Sequence, residues 1–143
     1  MRVFVFLLRV SAVGFAAAGS LHLALGAGAD VLLGAVLSEA TLSDPVLDSQ
    51  NRFYGVAFTV YAALFWLGAE DIQRYGPVLR AAFAVFFMAG LARVVSIVTH
   101  GLPSSLVIVL LAVEILLPLV LWFWLSALDK RGHAASGIET TRE

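Results

Sequence analysis

Four long apolar stretches dominate the sequence and leave few folds open to it. They cover approximately residues 3–28, 53–69, 78–99 and 104–128. A helix needs about 20 apolar residues to cross the hydrocarbon core of a bilayer. Within that core a spanning segment must satisfy its own backbone hydrogen bonds, so only helices are feasible at these lengths. The sequence therefore predicts an all-α fold in which residues 1–128 form an antiparallel bundle of four transmembrane helices.

The composition agrees with a membrane protein and excludes several other classes. Hydrophobic residues make up 61% of the 143 residues and charged residues 13%, against about 45–50% and about 25% in soluble domains. A small soluble domain has too much surface to cover with so few charges. The formal net charge of −1 provides no basic surface for nucleic acid. Cysteine is absent, which excludes disulfides and thiolate chemistry.

Turn and capping residues mark the ends of the predicted helices. Asp44 and Pro45 are typical of an N-cap followed by the first helical residue, so the second helix begins near Pro45, before its membrane part. Gly76-Pro77 is predicted to open the third helix. The Gly-Leu-Pro sequence at 101–103 separates the last two helices. Because this connection is so short, these two helices are expected to be antiparallel neighbours.

The distribution of Lys and Arg predicts the orientation. The end of the bundle that carries the chain termini, here called the terminal side, has Arg2, Arg74, Arg80, Lys130 and Arg131. The opposite end, the loop side, carries the long loop 29–51, which contains no Lys or Arg and four acidic residues. Positive charge favours the cytoplasm. We expect both termini inside a bacterial inner membrane, the acidic loop outside, and residues 129–143 as a flexible cytoplasmic tail.

Two segments have alternative interpretations. The first apolar stretch could be a cleaved signal peptide, with a small-residue cleavage site at 16–18. Against this, Arg9 interrupts the apolar region, and the region continues well past Ala18. The short apolar segment Val31–Leu37 could be a re-entrant or interfacial cap over the loop side, or the end of a long first helix.

Two charged residues lie inside the predicted spans. Arg93 is about 6 residues, or roughly 9 Å, from the loop-side end of the third span, and Glu114 is about 10 residues, or roughly 15 Å, from that end of the fourth. Such groups are costly in a membrane and need a partner or a water-filled cavity. Since the two helices are neighbours, we predict an Arg93–Glu114 ion pair. The pair either pins the helices together or forms part of a functional site.

Other polar residues fall in the same half of the membrane. In the second helix, Asp48, Asn51, Arg52 and Gly55 share one face, and Asp48 and Arg52 have the spacing of a helical ion pair. In the first helix, residues 11, 14, 18 and 22 form a stripe of small residues ending in His22, which is more typical of a packed, hydrogen-bonded histidine than of a ligand. Small residues such as Gly14, Ala18, Gly19 and Gly90 are expected to serve close helix packing. The candidate pocket residues are Arg93, Glu114, Arg52, Asn51, His22, Tyr54, Ser96 and His100. No catalytic residue, metal site or cofactor is predicted, because no motif for one occurs and the three histidines are far apart.

Several short motifs resemble one family. They are Asn51-Arg52-Phe53-Tyr54-Gly55, Gly90-Leu91-Ala92-Arg93, Gly101-Leu102-Pro103-Ser104 and the single Glu114. Together they resemble the small bacterial membrane proteins catalogued as domain of unknown function 4345, over nearly the whole chain to about Leu128. The resemblance implies four membrane helices. It implies no chemistry, because members of that family have no established activity.

Three functions are compatible with these features. The first is a non-enzymatic membrane protein, a binding protein or accessory subunit, with a pocket at Arg93 and Glu114 for a small amphiphile or lipid headgroup. Its partners would be the lipid bilayer, that ligand, and a second copy or another membrane protein. The second is a proton-coupled transporter or channel component in which Glu114 titrates. The third is a lipid-modifying enzyme using Glu114 and His22 as acid and base, which no diagnostic spacing supports. A cavity above the pair favours binding, and polar groups continuing to the terminal side favour transport.

Overall fold

Helices account for all of the regular secondary structure in residues 1–139, the part of the chain that the computed structural model describes, with side chains described up to residue 130. In chain order the helices are α1 (Arg2–Leu25), α2 (Gly28–Leu32), α3 (Glu39–Leu42), α4 (Pro45–Glu70), α5 (Ile72–His100) and α6 (Ser105–Glu139). Four of them, α1, α4, α5 and α6, are long and apolar enough to cross a membrane. The predicted all-α fold with four spanning helices is confirmed.

Helices α5 and α6 form an antiparallel pair, as the short connection between them predicts. Arg93 pairs with Glu114 near the loop side, and Arg80 pairs with Asp129 near the terminal side. Residue numbers therefore rise along one helix as they fall along the other. These two ion pairs join the helices at two levels of the bundle.

Helices α1 and α4 approach each other most closely where two glycines meet. A Cβ placed on Gly19 would lie 2.9 Å from the Gly55 carbonyl oxygen and 2.6 Å from Thr59 Oγ1. A Cβ placed on Gly55 would lie 2.9 Å from the Gly19 carbonyl oxygen. Small residues let membrane helices pack backbone against backbone. At the terminal side, Arg9 reaches out of the apolar region to Glu70, at 3.2 Å.

The buried hydrophobic core occupies the terminal half of the bundle. Its members come from all four long helices and are Phe4, Leu8, Ala12, Phe65, Ala69, Leu79, Ala82, Phe83, Leu121 and Leu125. Phe4 and Leu8 are fully buried, so the N-terminal half of α1 is an integral part of this core.

The start of the second long helix is as predicted, but that of the third is not. Asp44 accepts hydrogen bonds from the backbone N–H groups of Val46 and Leu47, with Pro45 as the first helical residue. The third long helix was predicted to open at Gly76-Pro77, whereas α5 begins at Ile72. The reason is a side-chain cap, since Asp71 Oδ1 accepts the backbone N–H of Arg74 at 2.9 Å.

The structure also revises the boundaries of the loop and the tail. Helix α1 ends at Leu25, where Gly26 adopts a φ of 53°, so Val31–Leu37 does not continue it. Instead α2 ends at Leu32 and the chain turns at Gly34, with a φ of 89°. At the other end, α6 extends through Glu139, so the predicted tail 129–143 begins inside this helix, and its flexibility stays a prediction. Residues 140–143 of that predicted tail lie outside the described residues.

The close approach of α1 and α4 predicts a large difference between two glycines of the same helix. Gly19→Ala would force the helices apart and is expected to destabilise the bundle by about 1–3 kcal/mol. Gly14→Ala, where nothing lies within 4 Å of the added Cβ, is the matched control and is expected to leave stability unchanged or raise it. Thermal unfolding of both variants in detergent measures the difference. Equal melting temperatures would contradict the packing described for Gly19.

Candidate functional site

A cavity of about 700 Å³ lies between the long helices in the loop-side half of the bundle. Its volume is within the range of about 300–1,000 Å³ that small-molecule sites occupy. The lining residues are Ser11, Gly14, Phe15, Ala18, His22, Asp30, Leu33, Ala35, Leu37, Leu47, Gln50, Asn51, Tyr54, Phe58, Phe86, Arg93, Val107, Leu110, Val113, Glu114 and Leu117. The cavity thus lies next to the core rather than inside it, and all four long helices contribute to its wall.

The predicted ion pair is present in the wall of this cavity. Arg93 Nε donates a hydrogen bond to Glu114 Oε2 at 2.6 Å. Glu114 is only 8% exposed, whereas the Arg93 side chain is 36% exposed. The Nη1 and Nη2 groups of Arg93 make no hydrogen bond to any residue in the described part of the chain. The guanidinium therefore holds the buried carboxylate with one nitrogen and keeps further N–H donors available to the cavity.

Polar and apolar lining residues occupy different ends of the cavity. The residues nearest the terminal side on each helix are Ser11 and Gly14 on α1, Phe58 on α4, Phe86 on α5 and Leu117 on α6. We call this group the deep end, and Ser11 supplies its one polar side chain. Residues with ionisable or amide groups lie closer to the loop side: Asp30, His22, Gln50, Asn51, Arg93 and Glu114.

The stripe of small residues on α1 forms one wall of the cavity. Ser11, Gly14, Ala18 and His22 recur every three or four residues and so share one face of the helix. Gly14 and Ala18 both line the cavity. The prediction of close packing is wrong for Gly14, because nothing lies within 4 Å of a Cβ built on it. The same prediction is confirmed for Gly19, which lies on another face of α1 against α4.

His22 joins α1 to the segment that follows it. Its Nδ1 donates to the carbonyl oxygen of Ala18 at 2.9 Å, which is the packed and hydrogen-bonded state expected of it. Its Nε2 lies 3.7 Å from Asp30 Oδ1, and its ring packs against Phe58. Within the described residues, no group of three or more His, Asp or Glu side chains is placed to hold a metal ion.

The segment after α2 covers the loop side of the cavity. Leu33, Ala35 and Leu37 line the cavity, and Leu33 accepts a hydrogen bond of 3.4 Å from Ser104 at the start of α6. Val36, in contrast, is fully exposed. This arrangement corresponds to the cap interpretation of Val31–Leu37, with alternate residues facing the cavity.

Five of the eight predicted pocket residues line the cavity and three do not. Those in the wall are Arg93, Glu114, Asn51, His22 and Tyr54. Arg52 makes the predicted ion pair with Asp48 at 2.8 Å, and its Nη1 donates to the Leu23 carbonyl oxygen at 2.6 Å. It therefore holds the end of α1 against α4. Ser96 is exposed, and His100 contacts Thr99 on its own helix.

Asp30, Gln50 and Phe58 are lining residues that the sequence analysis missed. Gln50 and Phe58 lie on α4 on either side of the predicted Asn51 and Tyr54, so the helical face drawn through Asn51 was too narrow. Asp30 reaches the cavity only because Gly26 turns the chain back after α1. No periodic signal in the sequence marks that turn.

Comparison with known proteins gives a family but no activity. Residues 3–125 match the family model described as Domain of unknown function (DUF4345). The chain belongs to this family. No curated protein and no solved structure matches it. The matched range contains the four long helices up to Leu125 and every lining residue of the cavity, so the cavity is a feature of the matched region.

The ion pair predicts a recovery of stability when both partners are removed. Arg93→Leu or Glu114→Leu alone leaves an uncompensated charge in the bundle and is expected to cost about 1–3 kcal/mol, the lower values for Glu114→Leu because Arg93 is partly exposed. The double variant Arg93→Leu/Glu114→Leu is expected to regain most of that loss. Thermal unfolding of the four proteins in detergent measures the coupling. Losses that simply add would show that the two side chains do not interact.

Proposed function

We propose that the protein is a non-enzymatic binding protein of the membrane, which holds a small amphiphile in the cavity beside Arg93. The observation that carries the proposal is that the two Nη groups of Arg93 bond to none of the described residues, next to a buried Glu114, in a cavity of about 700 Å³. A site of this volume with a few convergent polar groups in an apolar lining is the usual form of a small-molecule site. Action as an accessory subunit of a larger complex is compatible with the same site.

The chemistry of the lining indicates the kind of headgroup. The free edge of a guanidinium presents parallel N–H donors, which match the two oxygens of a carboxylate or phosphate. Glu114 already offsets the positive charge of Arg93, and Asp30 adds a negative charge near the loop side. Attraction over long distances is therefore weak, and recognition depends on short hydrogen bonds to the headgroup.

The position of the core favours binding over transport. The cavity ends at Ser11, Phe86 and Leu117, and Phe86 packs against Phe15 with ring centroids 5.1 Å apart. Beyond them the terminal half is filled by the buried core. In the described residues the cavity lining contains no charged group on the terminal side of Arg93 and Glu114, so this arrangement supports a site reached from one side.

The proposal includes an orientation in the membrane. The loop-side segments from Gly26 to Asp44 carry no Lys or Arg, whereas Arg2, Arg74 and Arg80 lie at the terminal side. The excess of positive charge favours cytoplasmic termini. The cavity would then lie in the outer half of the membrane, and its ligand would come from the outer leaflet or from outside the cell.

Direct binding of defined amphiphiles tests the function. Native mass spectrometry of the purified protein is expected to show one bound dodecanoate and weaker binding of dodecanol, which has the same chain without the carboxylate. The Arg93→Leu/Glu114→Leu variant should bind dodecanoate at least about tenfold more weakly, since a charge-assisted pair of hydrogen bonds is lost.

Two comparisons make that test decisive. Arg74→Leu removes an exposed arginine at the terminal side that lies outside the cavity, and its dodecanoate affinity should match the wild type. If the wild-type protein binds neither dodecanoate nor dodecanol, the binding function is wrong. Proton flux into vesicles containing the wild-type protein, lost in Glu114→Gln, would favour the transport function instead.

Cysteine labelling tests the orientation. Because the chain has no cysteine of its own, any labelling of this protein comes from the introduced residue. Val36→Cys, at a fully exposed position of the loop side, should react with a membrane-impermeant maleimide added to intact cells. Gln73→Cys, exposed near the start of α5 at the terminal side, should react only after the cells are opened. The reverse pattern would contradict cytoplasmic termini.

A further inference from the structure

Gly14 is the one glycine in the described parts of the spanning helices at which an added Cβ would meet no neighbouring atom within 4 Å; at Gly76 the nearest atom is 3.7 Å away. A Cβ built on Gly19, Gly55, Gly68 or Gly90 would lie within 2.9 Å of a neighbouring atom. A Cβ built on Gly14 has nothing within 4 Å. Glycine inside a helix carries a conformational cost and packs no side chain. Close helix packing accounts for the glycines at positions 19, 55, 68 and 90, but it does not account for Gly14.

The cavity continues well below the ion pair at this level. Phe86 lies seven residues before Arg93 on α5, so the lining extends about 10 Å along the helix from Arg93 towards the terminal side. The wall there consists of Gly14, Phe15, Phe86 and Leu117, with Ser11 as the single polar side chain. An apolar group can enter this volume without removing hydration from a charge.

The two ends of the cavity therefore fit the two parts of one ligand. The Nη donors of Arg93 are available to a headgroup. The deep end provides an apolar channel, and part of its volume exists because position 14 is a glycine with no side chain to fill it. A total of about 700 Å³ is the size of a site for one small ligand rather than for a large two-chain lipid.

We propose that the deep end receives the single unbranched chain of the amphiphile, and that Gly14 determines how long that chain can be. This inference rests on the proposed binding function and adds the orientation of the ligand, with its headgroup at Arg93 and its chain towards the terminal side. It also makes Gly14 a specificity-determining residue, since a larger side chain there would shorten the channel.

A series of saturated fatty acids from hexanoate to palmitate tests the role of Gly14, with binding to the purified protein measured by native mass spectrometry. In Gly14→Leu the longest chain that binds well should be shorter than in the wild type. Each displaced methylene costs several-fold in affinity. The affinity for the longest acids should therefore fall roughly tenfold or more, and the affinity for hexanoate should change little. In Gly14→Ala, the longest chain that binds well should be intermediate between those of the wild type and Gly14→Leu. Ala16→Leu, which adds the same side chain at an exposed position of α1 outside the cavity, should leave the series unchanged.

The outcomes separate this inference from the function on which it rests. Suppose that the wild type binds fatty acids and that Gly14→Leu lowers the affinity for all chain lengths equally, or for none. Gly14 then does not set the chain length, and the inference is wrong. If the wild type binds no fatty acid and no dodecanol, the binding function itself fails. Thermal unfolding shows whether Gly14→Leu remains folded, and Gly14→Ala, which fits the empty volume, decides the question if it does not.

Discussion

The ion pair between Arg93 and Glu114 is the interaction on which the rest of the loop-side half depends. A carboxylate that is 8% exposed among apolar helices has to be paired, because an isolated charge there is strongly disfavoured. Arg93 supplies that pairing from the neighbouring helix and links α5 to α6. The Nη groups of Arg93 bond to none of the described residues and lie in the wall of the cavity, where water or a polar ligand can satisfy them.

The bundle divides into halves with different packing. In the terminal half, large side chains such as Phe4, Phe65 and Phe83 fill the space between the helices and form the core. In the loop-side half, the backbones of α1 and α4 meet at Gly19 and Gly55, and the cavity lies between the long helices. The close-packed terminal half lies next to it.

The sequence predicted most of the fold, and five of the eight residues it assigned to the pocket line the cavity, for identifiable reasons. The ion pair was predictable because Arg93 and Glu114 are isolated charges in apolar helices joined by a short connection. Arg52 was assigned to the pocket because it shares a helical face with Asn51. A helical face gives the direction of a side chain but not the partner it reaches, and the long side chain of Arg52 reaches the Leu23 carbonyl oxygen. The start of α5 was misplaced because the cap of Asp71 outweighed the boundary signal of Gly76-Pro77.

Hydrophobic patterning by itself determined the number of long helices, because the apolar stretches are long enough to span a bilayer and contain few charges. It also determined that the two buried charges would pair. Only the tertiary structure decided what the stripe of small residues on α1 does. Gly14 and Gly19 are both small and both helical, yet one faces a cavity and the other faces the α4 backbone. That difference depends on how the helices are positioned around α1, which no local property of the sequence specifies.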